Sequence, residues 1–368
     1  MSKIRLGVIG AGNIGTVHIR HIVEGRTPAI ELTAIAERLP DKRAQAAGLC
    51  PSAAVFDEGA ALVESDTCDA VLIATPHYQH PELSIAAFKA GKHVLCEKPA
   101  GVYAKQAREM NEEAAKHPRL AFGMMFNQRT NCVYRKMREL VHSGSLGGIK
   151  RVNWIITDWY RPQYYYDSGG WRATWDGEGG GVLLNQCPHN LDLLQWICGM
   201  PSRVRAFCHE GKWHDIEVED DVTAYVEYEN GATGVFVTST ADAPGTNRFE
   251  ITLEGGKLVC EGGKLTLWRL EENERVYCKK AKDYFAPPPH SVEEIETDGQ
   301  NPQHVGVMNA FAAHILRGEP LTAHGSEGIN SLSISNAMHL SHWLDRMVEL
   351  PADEDLFLQI LSEKRART

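Results

Sequence analysis

The chain has 368 residues, 43% of them hydrophobic and 23% charged, the balance of a soluble globular protein large enough for two domains. Its formal net charge of −10 argues against a nucleic-acid partner, since nothing supplies the clustered positive field that phosphates require. No apolar run approaches the ~20 residues of a membrane span, and "MSKIRLGVIGAGNIG" lacks the apolar core and cleavage site of a signal peptide, so a cytoplasmic location is expected.

The chain opens on an apolar strand pattern, Ile4 to Ile9, followed by Gly10-Ala11-Gly12-Asn13-Ile14-Gly15 and a helical pattern with Ile14, His18 and Ile22 on one face. Between a strand and a helix, this G-x-G-x-x-G reads as a dinucleotide turn. Gly10 makes the tight turn, Gly12 lets the backbone approach a pyrophosphate, and Gly15 lets the helix pack on the strand. Asn13 and Ile14 open the helix, whose N-terminal N–H groups favour phosphate. The next strand, "ELTAIAE", ends in Glu37, 22 residues beyond Gly15. A carboxylate there accepts hydrogen bonds from an adenosine ribose and repels a 2′-phosphate, which favours NAD; Arg38 beside it leaves NADP open.

Strand and helix patterns continue to alternate. "CDAVLIATP" ends at Thr75-Pro76, "PELSIAAFKAGK" is a helix stopped by Gly91, and "HVLCEKP" ends at Glu97-Lys98. This alternation predicts an α/β Rossmann domain with a doubly wound parallel sheet over 1–125, ligands lying at the carboxyl ends of its strands. Beyond it the texture changes to alternating strands joined by glycine-containing turns, among them "KRVNWIIT", "DVTAYVEYEN", "ATGVFVTST" and "NRFEITLEG". They predict a C-terminal α+β domain over 126–368 with a large, mostly antiparallel open sheet. Helical patterns at Gln303–Arg317 and Gly328–Val348 close the chain. The nine cysteines form no C-x-x-C pair and read as reduced thiols. His209 and His214 lack a second ligand pair, so no metal is expected.

Two stretches carry the remaining chemistry. "DWYRPQYYYDSGGWRATWDGEGGG" places seven aromatic residues in 24, with Trp159, Tyr160, Trp171 and Trp175 beside Arg161 and Arg172. Such faces suit a sugar ring, although an oligomer interface uses the same residue types. "GGGVLLNQCPHNLDLLQW" sets Asn185 and His189 one turn apart, in the first turn of a helix containing Pro188, with Asp192 one turn on. Asp192 either orients His189, or caps or forms a salt bridge. "MFNQR" brings Asn127 and Arg129 toward the cleft after the last Rossmann strand.

Together "GAGNIG", "ATPHYQH", "EKPAG", "GGGVLLNQCPHNLDLLQW" and "SISNAMHLSHW", in this order along nearly the whole chain, resemble the Gfo/Idh/MocA family, the relatives of glucose–fructose oxidoreductase and inositol dehydrogenase. The resemblance implies an NAD(P) cofactor held by Gly10, Gly12, Asn13, Ile14, Glu37, Arg38, Thr75, Pro76, His80, Glu97 and Lys98. It implies reversible oxidation of a ring hydroxyl of a sugar, glycoside or cyclitol, and a homodimer or homotetramer formed through the C-terminal sheet. In the family a lysine works with a histidine often preceded four residues earlier by an aspartate. Those positions match Lys98 and His189, but the aspartate's place holds Asn185. An asparagine carries no proton and hydrogen-bonds a hydroxyl instead, which leaves Lys98 and His189 as the expected proton carriers. Asn127, Trp159, Tyr160, Arg161, Trp171, Trp175, Asn185 and His189 are the expected substrate contacts. Two other readings keep the fold: a redox-neutral glycoside lyase or hydrolase with tightly bound NAD, and a non-catalytic NAD-binding regulator.

Overall fold

The computed structural model describes residues 3–367. Six strands, β1 (Ile4–Ile9), β2 (Ile30–Ala36), β3 (Ala54–Phe56), β4 (Ala70–Ile73), β5 (His93–Cys96) and β6 (Phe122–Met124), form an all-parallel sheet in the order β3-β2-β1-β4-β5-β6. Five helices make the crossovers: α1 (Asn13–Val23), α2 (Pro40–Leu49), α3 (Gly59–Glu64), α4 (Gln79–Lys89) and α5 (Ala104–Ala115). Leu6, Val8, Val71, Leu72, Val94 and Leu95 are wholly buried. Continuous apolar strands are what a sheet covered on both faces requires. The strand order reverses between β1 and β4, and the crevice at that switch point is where a nucleotide binds in such sheets.

A short 3₁₀ turn (Asn127–Thr130) and α6 (Cys132–His142) lead into the second unit. Its strands are β7 (Ile149–Ile156), β8 (Arg203–Glu210), β9 (Glu219–Glu227), β10 (Thr233–Ser239), β11 (Asn247–Leu253), β12 (Gly256–Glu261), β13 (Lys264–Leu270), β14 (His290–Glu294) and β15 (Val348–Glu349). They form a nine-stranded sheet in the order β14-β13-β12-β11-β7-β10-β9-β8-β15, antiparallel throughout except where β10 runs parallel to β7. The helices of this unit are α7 (Gln163–Asp167), α8 (Pro188–Cys198), α9 (Glu274–Lys280), α10 (Gln303–Arg317), α11 (Gly328–Trp343) and α12 (Glu354–Arg365). Along β7 the burial alternates, with Val152, Trp154 and Ile156 inside and Arg151 and Ile155 outside. Helices α6, α8 and α11 pack over the inner face. The outer face is open and carries Ile155, Phe207 and Val235.

Helix α10 does not stay with the sheet it follows. Its Val307, Met308, Phe311 and Ala312 join the core built from Leu6, Val8, Leu72 and Leu95 of the first sheet. This return brings Gln303 and His304 to the crevice. No described helix is long and apolar enough to cross a membrane.

Candidate active site

The glycine turn is built as its spacing predicts. Gly10 has φ +91°, and a Cβ there would lie 2.6 Å from the Ala74 carbonyl oxygen. A Cβ on Gly15 would meet Gly10 O at 1.9 Å. Around Gly12, in contrast, nothing lies within 4 Å. Packing demands glycine at the first and third positions, and the second faces the space a pyrophosphate would fill. Helix α1 starts at Asn13 and Ile14 with no side chain capping its N-terminus, so its N–H groups are available to an anion. Glu37, at the end of β2, accepts hydrogen bonds from Ala11 N (2.7 Å) and Leu39 N (2.9 Å), which holds its carboxylate beside the turn. Arg38 is exposed and paired with Glu58 at 3.2 Å, so its charge is already partly matched. These residues fit NAD.

Thr75 and Pro76 follow β4, and the Thr75 hydroxyl is buried without a partner. His80 has both ring nitrogens at 2.7 Å from carbonyl oxygens, those of Pro99 and Thr75. It braces the loops after β4 and β5 against each other and is already spent on them. Glu97 is buried, with His18 Nε2 of α1 at 2.7 Å from its carboxylate. Burial alone would raise this carboxyl, but the hydrogen bond and charge of His18 hold it down at about 2.

Lys98 comes next. Its Nζ donates to the backbone oxygen of Asn185 at 2.8 Å, and burial lowers the ammonium pKa against the opposing pull of Glu97 and Glu178. His189, on the first turn of α8, presents its ring to Phe126 at 6.3 Å, and its buried Nδ1 has no hydrogen-bond partner. Burial, then the Lys98 charge, pushes this imidazole down to about 3, so it is neutral near pH 7. His304 packs against His18 at 5.3 Å and is pushed down to about 4 by burial. Elements distant in the chain thus converge on one titratable cluster at the strand ends.

Several expected roles change. Asn185 lies in the turn ahead of α8, which begins only at Pro188. Asp192 does not orient His189. It is gripped by Arg129 through two bonds of 2.8 and 2.7 Å, and Arg129 also donates to Glu327 at 2.7 Å. Arg129 is therefore structural, stacked between Phe126 and Trp196. Asn127 is buried and its Nδ2 donates to Gln303 at 2.6 Å, while its side-chain Oδ1 is unpartnered. The aromatic stretch divides in three. Trp175, only 3% exposed, turns away from the crevice to pack on His339 and Trp343, so it is a core residue rather than a substrate contact. Tyr160 is 52% exposed at the rim; Arg161 stacks between Trp159 and Tyr165, and the Trp159 Nε1 is buried without a partner. Trp171 lies edge-on to His77 at 5.5 Å, and Arg172 covers Trp171 and donates to Tyr165 Oη at 2.7 Å.

Spacing did not reveal Glu178, whose carboxylate accepts from the Asn185 side chain, nor His18, His304 and Gln303. The only signal for Glu178 was an acid directly before three glycines. Glu219 of β9 is also new: wholly buried, it accepts from Gly181 N (2.9 Å) and Leu183 N (3.0 Å) and so fixes the loop that carries Asn185. His214 is held between Asp220 (2.9 Å) and Arg161 O (2.9 Å).

Comparison with known proteins agrees with this geometry. The model described as "Oxidoreductase family, NAD-binding Rossmann fold" matches residues 4–124, and that of the GFO/IDH/MocA C-terminal domain matches 134–259. Rhizopine catabolism protein MocA of Rhizobium meliloti is 29% identical over 206 residues, covering 56% of this chain and 61% of its own, so this chain spans less than two thirds of that relative. Myo-inositol 2-dehydrogenase of Thermotoga maritima is 26% identical over 363 residues, 94% of this chain and 98% of its own. Among solved structures, the WlbA dehydrogenase from Bordetella pertussis in complex with NADH and UDP-GlcNAcA has a TM-score of 0.81 at 25% identity, covering 96% of this chain and 99% of its own. With both domain models matched in order over about two thirds of its length, the chain belongs to the Gfo/Idh/MocA oxidoreductase family, and its first sheet is that family's NAD-binding Rossmann fold.

Proposed function

We propose that the protein is an NAD-dependent dehydrogenase that reversibly oxidises a ring hydroxyl of a sugar, glycoside or cyclitol. The observation that carries this reading is the Lys98 amine: it sits at the end of β5, in a cluster sheltered from water, 2.8 Å from Asn185 O and next to an unpartnered neutral imidazole. Bound NAD supplies the hydride acceptor. Lys98, its ammonium disfavoured by burial, takes the hydroxyl proton as the carbinol C–H is lost. His189, neutral at the pH where Lys98 works, offers a nitrogen to the same oxygen and fixes its orientation. Glu97, held ionised by His18, keeps a negative charge beside Lys98 through the cycle. Trp171, Arg172 and Tyr165 offer an apolar face and polar tips to a polyhydroxylated ring. The relatives named for myo-inositol and crystallised with UDP-GlcNAcA support such a ring as substrate. Nine free cysteines support a reducing cytoplasm, and the open face of the second sheet supports pairing of copies into dimers or tetramers.

The test is an absorbance screen with NAD and NADP over sugars, inositols, uronates and glycosides, repeated with Lys98→Met. Turnover should favour NAD, and the variant should lose about 10²- to 10⁴-fold in kcat, far more than any change in its NADH affinity. Full turnover by Lys98→Met would refute the assignment. Glycoside cleavage without net NADH would move the reading to a redox-neutral lyase, and NAD binding without turnover to a regulator.

A further inference from the structure

Asn185, which carries no proton of its own, is nevertheless in contact with an acid. Glu178, seven residues earlier, folds its side chain back onto Asn185 and is only 2% exposed. One carboxylate oxygen accepts from Ala173 N at 2.7 Å, and the other accepts from Asn185 Nδ2. The Glu178 backbone oxygen is 3.2 Å from His77 Nδ1, which ties the segment to the end of β4. Asn185 therefore holds two titratable groups at once, Lys98 on its backbone oxygen and Glu178 on its amide. Among the described residues Glu178 forms no ion pair, so a carboxyl is buried here on two N–H donors without a counter-ion in contact.

We propose that Glu178 is the positioning acid of this site, and that its protonation state decides which end of the Asn185 amide faces the substrate oxygen. This rests on the dehydrogenase reading above. A carboxylate can only accept, so an ionised Glu178 takes the Nδ2–H and leaves the amide oxygen of Asn185 toward the cleft. That oxygen accepts from a ring hydroxyl beside the one whose proton Lys98 takes. A protonated Glu178 donates instead, which favours a half-turn of the amide and presents its NH₂ group, a donor suited to a ketone. The pair supplies both polarities that a reversible alcohol–ketone conversion needs, and a fixed aspartate at position 185 would supply them only by its own titration.

Burial pushes Glu178 up to about 7, against the pull of the Ala173 and Asn185 hydrogen bonds and of Arg172. The other groups facing it come from every neighbouring element. Lys98 lies at the end of β5, and His77 at the end of β4 is held neutral by burial. Tyr165, Arg172 and Tyr166, whose hydroxyl burial raises, belong to the aromatic segment, and Glu219 of β9 is kept ionised by His339 in spite of its burial. Of these only Lys98 shares the cleft's proton chemistry, so two groups shape the pH profile, and replacing Glu178 removes one of them.

The test combines two measurements on Glu178→Gln and Glu178→Asp. The first is an infrared difference titration of the NADH-bound protein from about pH 5 to about pH 9, which needs no substrate. A protonated-carboxyl band should fade near neutrality in the parent, be absent in Glu178→Gln, and shift its midpoint in Glu178→Asp. The second is the pH profile of kcat and KM in both directions on a substrate from the sugar and cyclitol screen. Glu178→Gln should lose about tenfold or more in oxidation kcat and flatten the acid limb, with NADH affinity within about twofold; Glu178→Asp should recover part of both. A band and limb unchanged in Glu178→Gln would overturn the proposal, as would lost stability with an unaltered pH profile. Should Glu178→Gln not fold, the midpoint shift in Glu178→Asp decides the matter. If no substrate emerges from the screen, the dehydrogenase reading fails separately, while the infrared titration still decides whether Glu178 titrates.

Discussion

Replacing Asp192 by asparagine should cost more stability than its distance from the reacting atoms implies. The Asp192 and Arg129 side chains are 1% and 2% exposed and share two hydrogen bonds of 2.7 and 2.8 Å. An asparagine keeps one acceptor but turns an NH₂ toward a guanidinium, and it leaves that cation buried without its main counter-charge. Breaking a buried pair in this way costs about 3–5 kcal/mol. Glu327 still accepts from Arg129 at 2.7 Å, but its side chain is 37% exposed, so the lower end, about 3 kcal/mol, is expected. Burial raises the Asp192 carboxyl in spite of Arg129, so desolvation already offsets much of what the pair contributes. Arg129→Met with Asp192→Leu should therefore cost within about 1 kcal/mol of nothing, because Phe126 and Trp196 already flank the position. The assay is urea unfolding of the parent, the single and the double variant, read as the midpoint at constant slope. Asp192 sits on α8 one turn beyond His189, so the single variant should also lose kcat. A cost below about 1 kcal/mol for Asp192→Asn, or a double variant as unstable as the single, would refute this account of the pair.

Other substitutions test the cofactor turn and the histidine. Gly15→Ala places a methyl 1.9 Å from Gly10 O, which must move the turn; NADH binding followed by fluorescence should fall by at least about tenfold, roughly 1.4 kcal/mol. Glu37→Gln removes the charge that opposes a 2′-phosphate, and the ratio of kcat/KM for NADP over NAD should rise by about tenfold or more. His189 has a folded pKa of about 3 against an ordinary 6.5, so the unfolded chain takes up its proton first as pH falls. Its contribution to stability is complete above 6.5 and is lost on going down toward 3, by at most about 1.4 kcal/mol per pH unit. Thermal midpoints of His189→Gln should accordingly fall less between about pH 7 and about pH 5 than those of the parent.

Much of this protein is written in local chemistry. The glycine turn was legible because backbone geometry constrains each of its positions: Gly10 needs a positive φ, and Gly15 lies against Gly10 O. Lys98 was legible because parallel strands end in a known direction, and residues just past an apolar run fall at the ligand edge. The two sheets followed from burial on both faces in one and alternation in the other, and "GGGVLLNQCPHN" marked Asn185 and His189 through its resemblance to the family. What the linear chain could not reveal is which distant side chains those residues meet. Glu97 meets His18 79 positions away, Arg129 meets Asp192 63 positions away, and α10 leaves its own sheet to bring Gln303 and His304 to the crevice. Trp175 looked like its aromatic neighbours but packs into the core, and Glu178 became part of the site only by folding back on Asn185. Periodicity and turn chemistry depend on neighbours within a few residues, so the sequence alone determined them. Burial, and with it each pKa and the partner of every buried charge, depends on what the finished fold packs on all sides, and only the tertiary structure decided it.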